Sequence, residues 1–464
     1  MNQTNLFSTR SIFLLLTLYS ISFLVIYLAL TTEYSPNDDL AGVRLTIFAL
    51  LAPIIFKYFV QLLSLPFYSP LEKIRRRKAI RQGMMNFSPK VSVLIPAWNE
   101  EVGILKTIQS VVNTAYKNLE IIVVNDGSTD STHRLVTGYI AEFKKNSQSA
   151  TEIKYLQLTN GGKARALNQG VRLASGEIIV TVDADSVMDE AAIEKLVPYF
   201  NDPKVGAVAG NVIVGNRSRP IEWLQQIEYL YGFFFKRADS VFNSVYIIGG
   251  AAAAYRKEVL EDVGGFDHEI ITEDIEMSTR ILSEGYKTRY ATDVVVFTEG
   301  PADWKGLCNQ RLRWKFGRLL TFMKHKSLFF STNKKHNSYL TFLLLPMAVY
   351  AELTLMFEAL LLAIFYGYTI LTNDYVPLAF VIVFMTTLVV IQILCDSKRR
   401  FHQNLLLLAP IAWMLFYIID LVEWQALCRS LKRLITRQEL QWQKWVRVGL
   451  AQHTSQNEAL TEAD

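Results

Sequence analysis

The chain has 464 residues, room for two or three domains, and a formal net charge of +5. It is 51% apolar with a mean hydropathy of +0.19, too high for an ordinary soluble protein, and its apolar residues are gathered in blocks. Three widely spaced cysteines with no CxxC exclude a disulfide framework and a zinc site, and basic residues gathered beside apolar blocks argue against a nucleic-acid partner.

Ser11–Leu30 is almost uncharged and long enough for a bilayer-spanning helix. No small-residue cleavage site follows it, so it reads as a retained anchor. Arg44–Leu65 is a second span, and residues 1–70 form an amino-terminal membrane unit. The loop TTEYSPNDDLAG between them carries three acids and no basic residue, whereas LEKIRRRKAIR after the second carries six basic residues. Positive loops stay inside, so the polar middle, residues 71–335, is expected to be cytoplasmic on a multi-pass protein of the plasma (inner) membrane. The basic stretch reads as a topology signal ahead of a contact with anionic lipid.

From Lys90 the pattern changes to alternating strands and helices. VSVLIP is a strand, EEVGILKTIQSVVN a helix, LEIIVVND a strand, STHRLVTGYIAEFKK a helix, IKYLQL a strand, GGKARALNQGVRLAS a helix and EIIVTVD a strand. That alternation predicts a parallel, Rossmann-like α/β sheet, whose ligands bind beyond the carboxyl ends of the strands. Those ends carry PAWNE, NDGSTD and DADS. One acidic strand end is commonly a helix cap; three polar ends on one side of one sheet point to a site.

Each motif also has a plainer reading. Asp183 and Asp185 are two like charges at a strand end and need a cation, for which Mg²⁺ or Mn²⁺ is the natural partner. Gly161, Gly162 and Lys163 open a helix, which suits a phosphate; alone, a Gly-Gly pair is more often a turn. Asp126 can accept from a nucleobase N–H, while Asp130 reads as a helix cap. Gly249 to Ala254 are small, which allows close approach of a substrate or simply tight packing. Thr272, Glu273 and Asp274 stand at a helix start, where acids usually cap, but where a carboxylate can also serve as a general base. Gln310, Arg313 and Trp314 share one helix face and can hold a diphosphate and stack on a sugar; a membrane-interface anchor has the same composition. Towards the end, Tyr339–Leu371, Val376–Cys395 and Asn404–Leu421 are further spans within residues 336–425. The flanking CDSKRRFHQN and CRSLKRLITRQ both read as cytoplasmic, so the last span either turns back near Pro410, lies at the interface, or breaks the rule. Residues 426–464 read as a basic amphipathic stretch and, after Ala451, a disordered tail.

Taken in order, PAWNE, NDGSTD, GGKARALN, DADS, TED and QRLRW resemble the family 2 glycosyltransferases in their membrane-embedded processive branch, and most resemble the bacterial poly-β-1,6-N-acetylglucosamine synthases of biofilm exopolysaccharide. The resemblance implies a GT-A-like domain inserted between membrane helices, using a UDP-sugar with Mg²⁺ or Mn²⁺. It implies that Pro96, Asn99, Glu100 and Asp126 hold the uridine and that Lys163 lies near the diphosphate. Asp183 would contact the nucleotide and Asp185 the metal. Asp274 would deprotonate the acceptor, and Gln310, Arg313 and Trp314 would hold the diphosphate and the acceptor end. Gly249, Gly250 and Glu273 are expected on the acceptor side with Trp314. A base on one side of the anomeric carbon and a leaving group on the other imply a single displacement giving a β-linked product, and the membrane helices a route for the polymer. A small membrane accessory subunit stays open as a partner. GGAAAA lacks the cysteine-containing acceptor motif of cellulose synthases, and no cyclic-dinucleotide domain is expected. Other β-1,4 polymers, single-sugar transfer to a lipid carrier, and a catalytically silent nucleotide-sugar-binding scaffold remain as alternatives.

Overall fold

The computed structural model describes residues 41–81, 87–146, 151–373, 375–440, 445 and 447–450, with four isolated positions (16, 17, 20 and 27) near the amino terminus. The expected first span, apart from those positions, and the expected tail after residue 450 lie outside the described residues.

An eight-stranded sheet in the order β3-β2-β1-β4-β7-β6-β8-β5 forms the middle of the chain. Its first half is β1 (Val91–Ala97), β2 (Leu119–Asp126), β3 (Glu152–Leu158) and β4 (Ile178–Thr181), all parallel. These are the strands expected from the sequence. β1, β2 and β4 are buried along their whole length, as runs of Val and Ile covered on both faces must be. The crossover helices α1 to α3 of this half are amphipathic. α1 (Ile104–Val112) buries Ile104, Ile108 and Val111 at helical spacing, α2 (Thr132–Asn146) buries Val136, and α3 (Lys163–Leu173) buries Ala164, Leu167 and Val171.

The second half mixes directions. β5 (Ser186–Met188) pairs antiparallel with β8 (Lys287–Thr298), β6 (Val205–Val214) runs parallel to β8, and β7 (Ala253–Arg256) is antiparallel to both β4 and β6. Because β7 is reversed, its beginning lies at the same edge of the sheet as the carboxyl ends of β1, β2, β4 and β6. That single reversal brings the Gly249–Ala252 segment alongside DADS.

Among the described residues, four stretches are long and apolar enough to cross a membrane: Leu45–Arg81, Tyr339–Thr372, Val376–Cys395 and Ala409–Thr436. A further helix, α4 (Pro220–Val241), joins them to the sheet. Its Phe234, Phe235 and Ala238 pack against Leu62, Leu65, Leu388 and Ile391, and its Ile227 and Leu230 against Val389, Ile393 and Ala412. The last helix runs Ala412–Thr436, starting later and ending later than the expected Asn404–Leu421, because residues 403–411 form two 3₁₀ turns around Pro410. Lys398 pairs with Asp189 at 3.0 Å and Phe401 packs on Phe297. Residues 447–450 also lie on the α/β domain. Residues on both sides of this helix thus touch the α/β domain.

Candidate active site

The carboxyl edge of the sheet opens into a cavity of about 710 Å³. It is lined by Pro96, Glu100, Asp126, Lys163, Asp183, Asp185, Gly249, Gly250, Glu273, Asp274, Gln310, Arg313 and Trp314, so the structure brings together every residue expected there except Asn99. Asn99 sits in the left-handed region at φ 56°, and its side-chain oxygen accepts from the Thr129 amide at 2.7 Å and, more weakly, the Asp130 amide. It ties the loop after β1 to the loop after β2 instead of lining the cavity.

Both Asp126 oxygens accept backbone N–H groups, from Gly161 at 2.9 Å and Gly162 at 2.8 Å, so this carboxylate fixes the turn that starts α3. The turn delivers Lys163, whose ammonium lies 2.5 Å from Asp183 and 3.2 Å from Glu273. Burial opposes its charge, but Asp183, Glu273 and Asp274 outweigh that and hold it well above the usual lysine range. Burial pushes the Glu273 carboxyl up, against the opposing pull of Lys163. Gly250 passes close to this group: a Cβ there would lie 2.8 Å from the Lys163 ammonium nitrogen. Its amide donates to Asp274 Oδ2 at 3.0 Å.

Helix α5 (Glu273–Ser283) begins at Glu273, and α6 (Trp304–Lys324) carries Gln310, Arg313 and Trp314. The two helices touch at Gly317, where an added Cβ would stand 2.1 Å from Thr272 Oγ1. That close approach holds the start of α5, with Asp274, beside the helix that carries Gln310, Arg313 and Trp314, all four lining the cavity. Burial lowers the Arg313 guanidinium to about 10, although Glu273 pulls the other way.

Sequence reasoning missed a strap. Arg447 reaches Asp185 Oδ2 at 2.5 Å and Glu100 Oε1 at 3.2 Å. Glu299 accepts the amides of Val448 and Gly449 at 2.6 and 3.0 Å, and Leu450 is buried against Ile213, Val295 and Phe297. Trp445 lies between the guanidinium groups of Arg447 and Arg313, 4.4 and 5.4 Å from its ring centre. Among the described residues no three His, Cys, Asp or Glu side chains converge as a metal site. Asp185 nevertheless takes a cation, since a guanidinium occupies it here. The hard oxygens of these two carboxylates, once released from Lys163 and Arg447, fit Mg²⁺ or Mn²⁺ completed by donor oxygens.

Residues 89–317 match the family described as glycosyltransferase like family 2. The domain is a family 2 glycosyltransferase. A poly-beta-1,6-N-acetyl-D-glucosamine synthase of Staphylococcus epidermidis is 36% identical over 231 residues, 49% of this chain and 54% of that one. A synthase of the same description from Staphylococcus aureus strain N315 is 35% identical over 248 residues, 53% of this chain and 57% of that one. The chain thus spans little more than half the length of these curated relatives. A mannosyltransferase from Pyrobaculum calidifontis, solved with GDP-Man and Mn²⁺, aligns over 85% of this chain and all of that one with a TM-score of 0.51 at 20% identity. This last is a likeness of fold, and it agrees with a GT-A-like arrangement of the glycosyltransferase domain.

Proposed function

We propose that the protein is a processive, inverting transferase that uses UDP-N-acetylglucosamine to extend a β-1,6-linked polymer and passes it across the plasma membrane through its own helices, with the glycosyltransferase domain on the cytoplasmic side. The observation that carries this reading is the convergence of Asp274, the Asp183–Asp185 pair and the Gln310–Trp314 face on one cavity beside the membrane helices. The names of the relatives support the sugar and linkage.

In this reading Asp126 and the strand-end loops hold the uridine side, and Arg313 with Gln310 faces the diphosphate. Asp274 is restrained by the amides of Gly250 and Ile275, which leaves carboxylate lone pairs for the acceptor hydroxyl proton. The hydroxyl oxygen attacks the anomeric carbon as the bond to UDP breaks on the far face, so an α-linked donor gives a β-linked product. A divalent ion at Asp185 would supply charge neutralisation for the departing diphosphate. Lys163, charged between Asp183 and Glu273, fixes those carboxylates relative to the base.

The test is UDP release by the full chain in detergent with Mn²⁺ or Mg²⁺ and a panel of UDP-sugars. Release with UDP-N-acetylglucosamine and a product cut by a β-1,6-specific hydrolase is the expected result. Release with another sugar only overturns the substrate, and release with none overturns the activity.

A further inference from the structure

Helix α4 turns one face into the cavity: Tyr229, Phe233 and Lys236 line it with Trp314 and Asp274. The spacing i, i+4, i+7 places the three on one side of the helix. The rings follow one another as a stepped shelf, tilted at 47° and 39°. Trp314 and Tyr229 have centroids 6.2 Å apart, Tyr229 and Phe233 6.0 Å, and the Lys236 ammonium stands 4.0 Å above the centre of Phe233. Aromatic faces of this kind suit the apolar faces of pyranose rings, so a sugar chain leaving Asp274 along this shelf would bring substituents to Lys236.

Among the described residues Lys236 makes no ion pair, and its ammonium rests over the Phe233 ring. Burial pushes its ammonium down to about 8, against the pull of Asp274 and of Asp239 on its own helix. An ammonium offers three donors and no acceptor. It therefore favours a carbonyl oxygen and disfavours a second cation.

We propose that Lys236 reads the C2 substituent of the acceptor sugar, donating to the carbonyl of an N-acetyl group and repelling the ammonium of a free amino sugar. The site thereby selects an N-acetylated chain for extension and rejects a de-N-acetylated one. This rests on the amino-sugar polymer proposed above. A lysine that served only to hold Asp274 in place would affect both acceptors alike.

The experiment compares two oligomers of the linkage that the polymer assay returns, one fully N-acetylated and one fully de-N-acetylated. The full chain in detergent is supplied with UDP-N-acetylglucosamine, and acceptor-stimulated UDP release gives kcat/KM for each. The wild type should prefer the acetylated oligomer by on the order of tenfold or more, the scale of one hydrogen bond to a charged group. Lys236→Met should bring the ratio towards one, Lys236→Glu should favour the free amine, and Lys236→Arg should keep the preference. UDP binding measured by calorimetry should survive in the Met variant. A wild-type ratio near one, or an unchanged ratio in Lys236→Met with UDP bound normally, overturns the proposal while leaving transferase activity standing. Absence of UDP release by the wild type overturns the underlying reading and this proposal with it.

Discussion

Replacing Arg447 with Met tests the strap directly. Its guanidinium is mostly buried and lies between Asp185 and Glu100, with Glu299 held just behind by two backbone amides. Burial opposes the charge, yet Asp185 and Glu100 outweigh it and raise the arginine further above its ordinary range. Removing one partner of such a pair leaves carboxylates facing one another and costs about 3–5 kcal/mol where burial is complete. The side chain is 12% exposed, so a loss of about 2–3 kcal/mol is the realistic figure. A divalent cation is the natural replacement. If half of that loss is recovered when the metal binds, Mn²⁺ affinity in the absence of donor rises about tenfold, the equivalent of ~1.4 kcal/mol. Calorimetric titration of Mn²⁺ into donor-free wild type and variant reads this directly, and the melting temperature should rise more with Mn²⁺ in the variant. Equal or weaker Mn²⁺ binding by the variant would refute the argument, because Asp185 and Arg447 would then not be competing partners.

Asp274→Asn should lower turnover by about 10²–10⁴-fold while leaving UDP binding within about twofold, as expected for loss of a proton acceptor; loss of UDP binding would remove Asp274 from the role of base. Gly317→Ala should cost about 1–3 kcal/mol in thermal denaturation and reduce turnover, since the added methyl must displace Thr272 and with it the start of α5; a variant as stable and active as wild type would show that the two helices separate freely. Glu276 is held at about 2 despite burial that opposes its charge, because His325, Arg280 and Lys324 all face it. Its folded value lies below the unfolded one, so its contribution of about 2 kcal/mol after screening is present above about pH 5 and lost as the pH falls towards 2. Glu276→Gln should flatten stability over that window, and an unchanged acid limb in the denaturation midpoint would assign acid sensitivity elsewhere.

The parallel half of the sheet was legible because β1, β2 and β4 are built mainly of Val, Ile and Leu and lead into polar residues at their carboxyl ends. The site acids were legible for the same reason: Asp126, Asp183 and Asp185 interrupt or end apolar strands. The role of Asn99 was not, because a side chain bridging two loops and one entering a cavity look alike in sequence. Arg447 carried no local signal, since its partner Glu100 is 347 residues away and nothing in WVRVG has a period. The Tyr229–Phe233–Lys236 face had helical spacing, but an aromatic stripe on a helix reads equally well as core. The break before the last helix was marked by Pro410, but the contacts of its two flanks with the α/β domain join residues far apart in sequence and had no local signal.

A lattice of buried charges gives helix α6 a second owner. Arg311 pairs with Glu228 and Glu423, Lys315 with Glu352 and Glu423, and Arg318 with Glu352. Three cations of α6, interleaved with Gln310, Arg313 and Trp314, thus have counter-charges on α4 and on two of the membrane-crossing candidates. Excising residues 71–335 would keep Asp183, Asp185, Glu273, Asp274 and Arg313 of the cavity but strip away Glu352 and the cavity-lining Glu423 and Arg447. Lys315 and Arg318 would lose every carboxylate they pair with here, and Arg311 would keep only Glu228. The cavity wall formed by α6 is in that sense not portable: the membrane-crossing candidates hold part of the counter-charge for its buried cations.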